Sequence, residues 1–172
     1  MKISKIVKKY LTWAEVEKLI KKIAKAILKA KGVTGAKYDM IVSVGRGGLV
    51  IARLVAEYLK VKKVQVVDVA SYTEDNTQGQ MYIDNGEEAT KMFGSKLGGK
   101  NVLIVDDCVV TGDTLKVVKG FLKDKCGAAN IDSAVLFLDK NNKHTNVSAL
   151  GKSYNAKKNW IVFPWEELSL SK

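Results

Sequence analysis

Apolar positions recur along this chain in two rhythms. Val16, Leu19, Ile20, Ile23 and Ile27 return at helical spacing and form one stripe, predicting a helix over 12–28. Thr12 and Glu15 have capping-box spacing at its start, which satisfies N–H groups of the first turn. Largely apolar runs at 38–44 and 101–105 read as buried strands, 64–69 as a β-branched strand, 133–138 as a further strand and 159–163 as a late, short strand closed by Pro164. Helical patterns at 49–58 and 114–123 fall between them. The polar segment 73–86, with Gly79 and Gly86, reads as a long loop. Strand, loop, helix and strand alternate, predicting an α/β fold with a mostly parallel central sheet flanked by helices. No repeat, linker or low-complexity tract interrupts the pattern, so one domain is expected over 1–172. Ligands in such folds sit beyond the carboxyl ends of strands, and the two richest loops, 45–48 and 106–113, both directly follow strands.

Composition narrows the class. The 172 residues are 47% hydrophobic and 27% charged, enough for a buried core and unlike a disordered chain. No apolar run approaches the roughly 18 residues that span a bilayer, and the basic start lacks the apolar core of a signal peptide. Two cysteines, Cys108 and Cys126, make no disulfide framework, so the reducing cytoplasm is the expected location. Lys plus Arg is 29 against 18 Asp plus Glu, a balance of +11 that favours anionic partners. The lysines are spread out and not interleaved with aromatics, so nucleic acid is not the expected partner. His144, alone in the polar stretch 141–146, reads as a surface residue, and Cys108 as a small buried filler.

The most informative stretch is 102–115, VLIVDDCVVTGDTL. An apolar strand delivers two adjacent carboxylates, Asp106 and Asp107. Neighbouring strand residues point oppositely, so the pair is expected to divide its work. Such carboxylates accept hydrogen bonds from sugar hydroxyls or hold a hydrated Mg²⁺. Val109 and Val110 lead into Thr111, Gly112, Asp113 and Thr114, which open a helix. Two hydroxyls, a glycine and helix N-terminal amides form a phosphate cradle.

This stretch resembles the 5-phosphoribosyl-1-pyrophosphate (PRPP) signature of the type I phosphoribosyltransferases. Residues 43–49, SVGRGGL, resemble that family's pyrophosphate loop, in which a cis peptide often precedes the position of Arg46. Tyr10 to Trp13, Ser71 with Tyr72, and 160–166, WIVFPWE, are similar to segments of the xanthine-guanine enzymes and their archaeal relatives. The resemblance implies the type I phosphoribosyltransferase fold, with a small C-terminal hood near 139–172. It further implies transfer of the phosphoribosyl group from PRPP to a guanine, xanthine or hypoxanthine base in purine salvage, with release of pyrophosphate.

On that resemblance, Arg46 and the backbone at Gly45, Gly47 and Gly48 hold the pyrophosphate, and Asp106 and Asp107 fix the ribose. Thr111, Gly112 and Thr114 anchor the 5-phosphate. The loop opened by Ser71 and Tyr72 closes over the reaction. Trp160 stacks on the base, the backbone of Ile161 and Val162 reads its edge, and Lys140 donates to its 6-oxo group. Mg²⁺ arrives with PRPP and meets Asp106, Asp107 and Glu166. At least a dimer is implied. Three positions depart from the family pattern. Lys140 falls about one residue off the family's usual lysine, with Asp139 between. Val110 stands where 6-oxopurine enzymes carry a proton-handling aspartate, and Asp113 where many relatives have glycine or lysine. Two other readings stay open: a PRPP- or nucleotide-sensing regulator of the same fold that binds nucleic acid, and a phosphoribosyltransferase for another base.

Overall fold

The computed structural model describes residues 6–30, 38–71, 81–84 and 86–167. Among the described residues, nine strands and four α-helices run in the order β1 (Val7–Tyr10), α1 (Trp13–Ala30), β2 (Met40–Val44), α2 (Gly45–Leu59), β3 (Val64–Val67), β4 (Val69–Ser71), β5 (Met81–Ile83), α3 (Gly86–Leu97), β6 (Asn101–Val109), α4 (Asp113–Gly120), β7 (Asn130–Asp139), β8 (Ala149–Tyr154) and β9 (Asn159–Val162). A π-helical turn, Phe121–Lys125, extends α4, and a 3-10 turn, Pro164–Glu166, follows β9.

Five strands form one sheet in the order β3-β2-β6-β7-β8, and every pairing in it is parallel. Both faces are covered, which is why the central strands read as mostly apolar runs; β2 is buried at all five positions. One face packs Ile41, Leu103, Val105, Ala134 and Leu136 against the stripe of α1 and against α2. The other packs Met40, Val42, Val102, Ile104 and Val135 against α3 and α4. Val16, Ile20, Ile23 and Ile27 are buried as their spacing predicts. Thr12 N–H donates to Glu15 Oε2 at 2.8 Å and Glu15 N–H to Thr12 Oγ1 at 3.2 Å, so the capping box forms.

Five elements differ from the sequence expectation or go beyond it. Residues 45–48 are not a free loop but the first turn of α2. β6 does not stop at residue 105; it continues to Val109 and carries both aspartates inside the sheet. Part of the expected loop 73–86 is ordered: β5 pairs antiparallel with β4, and Gly86 begins α3, which buries Ala89, Phe93 and Leu97 at four-residue spacing. The late strand β9 pairs with β1 rather than with the main sheet, so the hood takes one strand from the N-terminal segment. β8, within the span expected for the hood, is instead the edge strand of the main sheet.

Candidate active site

Side chains on β6 alternate between the two faces of the sheet. Val105 points to the α1 and α2 face, and Asp107, two residues on, shares that side. Asp106 is close enough for the two carboxyls to act on each other, and the β6–β7 register passes from Asp106 to Cys108 without pairing Asp107. Asp107 stands over the start of α2: a Cβ on Gly47 would lie 2.4 Å from its Oδ2. At Gly48 a Cβ would lie 2.5 Å from the Val105 carbonyl oxygen and 2.9 Å from Ser43 Oγ. Glycine at 47 and 48 thus lets the first turn of α2 press against β6. Gly45 turns the chain out of β2 with φ +48°, and Arg46 is exposed at the helix start. The first amides of a helix have no intrahelical partner and point toward an anion. All peptide bonds among the described residues are trans, so the cis bond that the resemblance implies ahead of Arg46 is not formed.

Asp106 is 7% exposed. Burial, and then the charge of Asp107, push its carboxyl up to about 8. Burial also raises Asp107, and the charge of Glu166 adds to the effect. Asp107 N–H donates to Asp106 Oδ1 at 2.9 Å, and Cys108 N–H donates to Asp107 Oδ1. Two acids crowded this way in a dry setting gain from sugar hydroxyls or a cation. Among the described residues no group of three His, Cys, Asp or Glu side chains is arranged to hold a metal. Glu166 is close enough to act on Asp107 electrostatically, but its Oε2 accepts from Phe163 N–H at 2.7 Å. Carboxylates placed like these suit contact with a hydrated Mg²⁺.

Beyond β6, Val110 is 48% exposed and Gly112 takes φ +92°, a conformation that only glycine adopts freely. α4 starts at Asp113, whose N–H donates to Thr111 Oγ1 at 3.4 Å. Asp113 is exposed, as a carboxylate beside a phosphate turn should be. Thr114 lies in the first turn of α4, with its hydroxyl 3.6 Å from Met81 Sδ. The sequence reading missed what holds this turn. Asn142 Nδ2 donates to the Val110 carbonyl at 3.0 Å and to Thr145 Oγ1 at 2.8 Å, and Thr145 Oγ1 donates to the Thr111 carbonyl at 3.3 Å. The only signal was the density of Asn and Thr in 141–146, which favours side-chain-to-backbone turns.

The remaining expected residues separate. Trp160 is 60% exposed, while Ile161 next to it is buried and Val162 half-buried. Phe163 stacks on Trp165 at 4.7 Å, and Trp165 meets Trp13, so the hood rests on its own aromatic support. Lys140 is exposed beyond β7, its N–H donating to the Tyr154 carbonyl at 2.7 Å. Lys140 and Ile161 line a cleft of about 1310 Å³ between α1, β8 and the hood, while Arg46, Asp106, Asp107 and the turn 111–114 do not. The expected PRPP-site residues lie instead toward the strand ends, where ligands bind in parallel α/β sheets. Ser71 ends β4, and Tyr72 lies outside the described residues.

Comparison with known proteins agrees with this geometry. The phosphoribosyl transferase domain family matches residues 7–171. The chain is 28% identical over 159 residues to a xanthine-guanine phosphoribosyltransferase of Idiomarina loihiensis, covering 91% of this chain and 86% of the relative. A purine phosphoribosyltransferase structure from Pyrococcus horikoshii Ot3 superposes with TM-score 0.71 at 30% identity, covering 96% of this chain and 98% of that one. A hypothetical protein from Neisseria gonorrhoeae with bound ppGpp shares the fold, with TM-score 0.78 at 24% identity and coverage of 96% and 93%. With the signature turn, the glycine-rich start of α2 and the parallel sheet in one arrangement, the chain belongs to the phosphoribosyl transferase domain family and is a type I phosphoribosyltransferase.

Proposed function

We propose that this enzyme transfers the 5-phosphoribosyl group of PRPP to a 6-oxopurine base, guanine, xanthine or hypoxanthine, in purine salvage. The observation that carries the reading is the contact of Asp107 with the start of α2, flanked by the left-handed turn at Gly112. That contact supports reading Asp107 as the sugar-binding acid beside a helix start that holds pyrophosphate. Thr111, Gly112 and Thr114 hold the 5-phosphate, remote from the bond that breaks, and so orient the ribose. Asp106 and Asp107 accept from its hydroxyls. Arg46 and the amides around Gly47 and Gly48 meet the negative charge that grows on the departing pyrophosphate. Mg²⁺ bound with PRPP supplies further neutralisation of that charge. Trp160 offers its open face to the base, with the Ile161 and Val162 backbone at the base edge and Lys140 toward its 6-oxo group. Ser71 and Tyr72 lead a loop that closes and keeps water from PRPP. Cytoplasmic location and assembly into at least a dimer complete the proposal.

The test is pyrophosphate release with PRPP, Mg²⁺ and, separately, guanine, xanthine, hypoxanthine, adenine, uracil and orotate. Release with a 6-oxopurine supports the reading. Release only with adenine or a pyrimidine reassigns the base. No release with any base, joined to salt-sensitive RNA binding, replaces the enzyme with the regulator.

A further inference from the structure

The cleft of about 1310 Å³ beside the active site is lined by seven lysines and two glutamates. The two acids are already engaged. Glu17 pairs with Lys21 at 2.7 Å, and Glu15 accepts from the N–H and hydroxyl of Thr12 in the helix cap. Lys22 Nζ donates to the Gly151 carbonyl and ties α1 to the edge strand β8. Lys140 is taken by the proposed base site, and Lys9, Lys18, Lys25 and Lys152 remain, with no ion-pair partner among the described residues. Lys18 and Lys25 lie two turns apart on one face of α1. Lys152 faces them from β8, near enough to help depress the Glu15 carboxyl after the dominant Thr12 hydrogen bonds. Like charges gathered around a concavity repel one another and focus a positive field into it.

The floor of the cleft is apolar, formed by Leu19, Phe137 and Ile161. A pocket with an apolar floor and a cationic rim, somewhat above the roughly 300–1,000 Å³ of common small-ligand sites, suits one molecule of nucleotide size. A strand of nucleic acid tracks an extended groove with stacking aromatics, a different shape. We propose that this cleft is a second ligand site, separate from the PRPP site, for an aromatic polyanion of the nucleoside polyphosphate class. Its phosphates lie between Lys18 and Lys25 on α1 and Lys152 on β8, and its ring system lies on the Phe137 floor. Because α1 and β8 also support the hood through Tyr154 and the chain leading to Trp160, an occupant there bears on how the base is held.

The experiment uses the full chain saturated with PRPP and Mg²⁺ but without base, with PRPP affinity measured separately so that the two sites fail independently. GTP is titrated as the probe, with inorganic tripolyphosphate and guanosine as its two halves. GTP is expected to bind with the PRPP site filled, and tripolyphosphate to compete with it. The triple variant K18E/K25E/K152E should weaken GTP binding roughly tenfold or more. The control K62E/K63E/K96E should leave it unchanged. The proposal is overturned if GTP does not bind, if PRPP displaces it, or if the triple variant binds as tightly as the unaltered chain. It is also overturned if the triple variant loses binding only by dissociating an oligomer, read by light scattering, since the lysines would then face another copy of the chain.

Discussion

The Thr145 hydroxyl occupies the space beside Gly112 that any side chain there would need: an ideal Cβ on Gly112 would stand 1.9 Å from Thr145 Oγ1. With Asn142 on the Val110 carbonyl, Thr145 fixes the turn proposed to hold the 5-phosphate, from a loop about 30 residues further along the chain. The turn is shaped before substrate arrives, so less ordering is needed on binding.

Gly112→Ala should therefore act twice, through its left-handed backbone and through the collision. Strain of this kind costs about 1–3 kcal/mol before the collision is counted. The expected result is a KM for PRPP raised at least about tenfold, a change worth roughly 1.4 kcal/mol. Thr145→Val should raise that KM less, by removing the hydroxyl's two hydrogen bonds, each worth about 1 kcal/mol, and Thr145→Ser should restore it. Steady-state kinetics at varied PRPP separates the three.

Gly47→Ala and Gly48→Ala should fail differently. At Gly47 the obstacle is the far end of the Asp107 side chain, which can swing aside but then leaves the ribose. At Gly48 it is the Val105 carbonyl in the middle of the sheet, which cannot. Gly47→Ala should lose most of its kcat/KM with little change in Tm. Gly48→Ala should lower Tm by several degrees. Thermal unfolding and kinetics on both variants check the contrast.

Burial raises Asp106 from its ordinary value of 3.8 to about 8, so the ligand-free, metal-free fold favours its neutral form. Its contribution to stability is complete below the ordinary value and is lost as pH rises through about 8. The slope for one proton is at most about 1.4 kcal/mol per pH unit. Asp106→Asn should gain Tm over the unaltered chain as pH climbs through that window, in EDTA. A parallel pH dependence in the two proteins would refute the assignment.

Trp160 is 60% exposed and contributes little to the core. Trp160→Ala should leave Tm nearly unchanged while weakening the base by the roughly 1–3 kcal/mol of a stacking contact. The effect should fall on the KM for the base and spare that for PRPP.

Val110 is 48% exposed and offers no proton acceptor at the entrance of the turn. Val110→Asp should raise kcat with a 6-oxopurine, toward the about 10²–10⁴-fold that general acid–base assistance supplies. An unchanged rate would show that another group or water already handles the proton.

What the chain alone determined is what local chemistry can express. The stripe of α1 and its Thr12–Glu15 cap, the apolar strands and the run from Asp106 to Thr114 carry their meaning within a few residues, because side-chain period and turn chemistry act at that range. The glycines at 47 and 48 were legible as a close approach, though not what they approach. Only the folded chain decided that. β1 is exposed at all four positions and becomes a strand because β9, some 150 residues later, supplies its hydrogen bonds. β6 carries Asp106 and Asp107 inside the sheet because β7 pairs with it past residue 105. Thr145 reaches Gly112 only because β7 runs beside β6 and brings the following loop to the same end of the sheet. Such partners are distant in sequence, and nothing in the pattern at either end names the other.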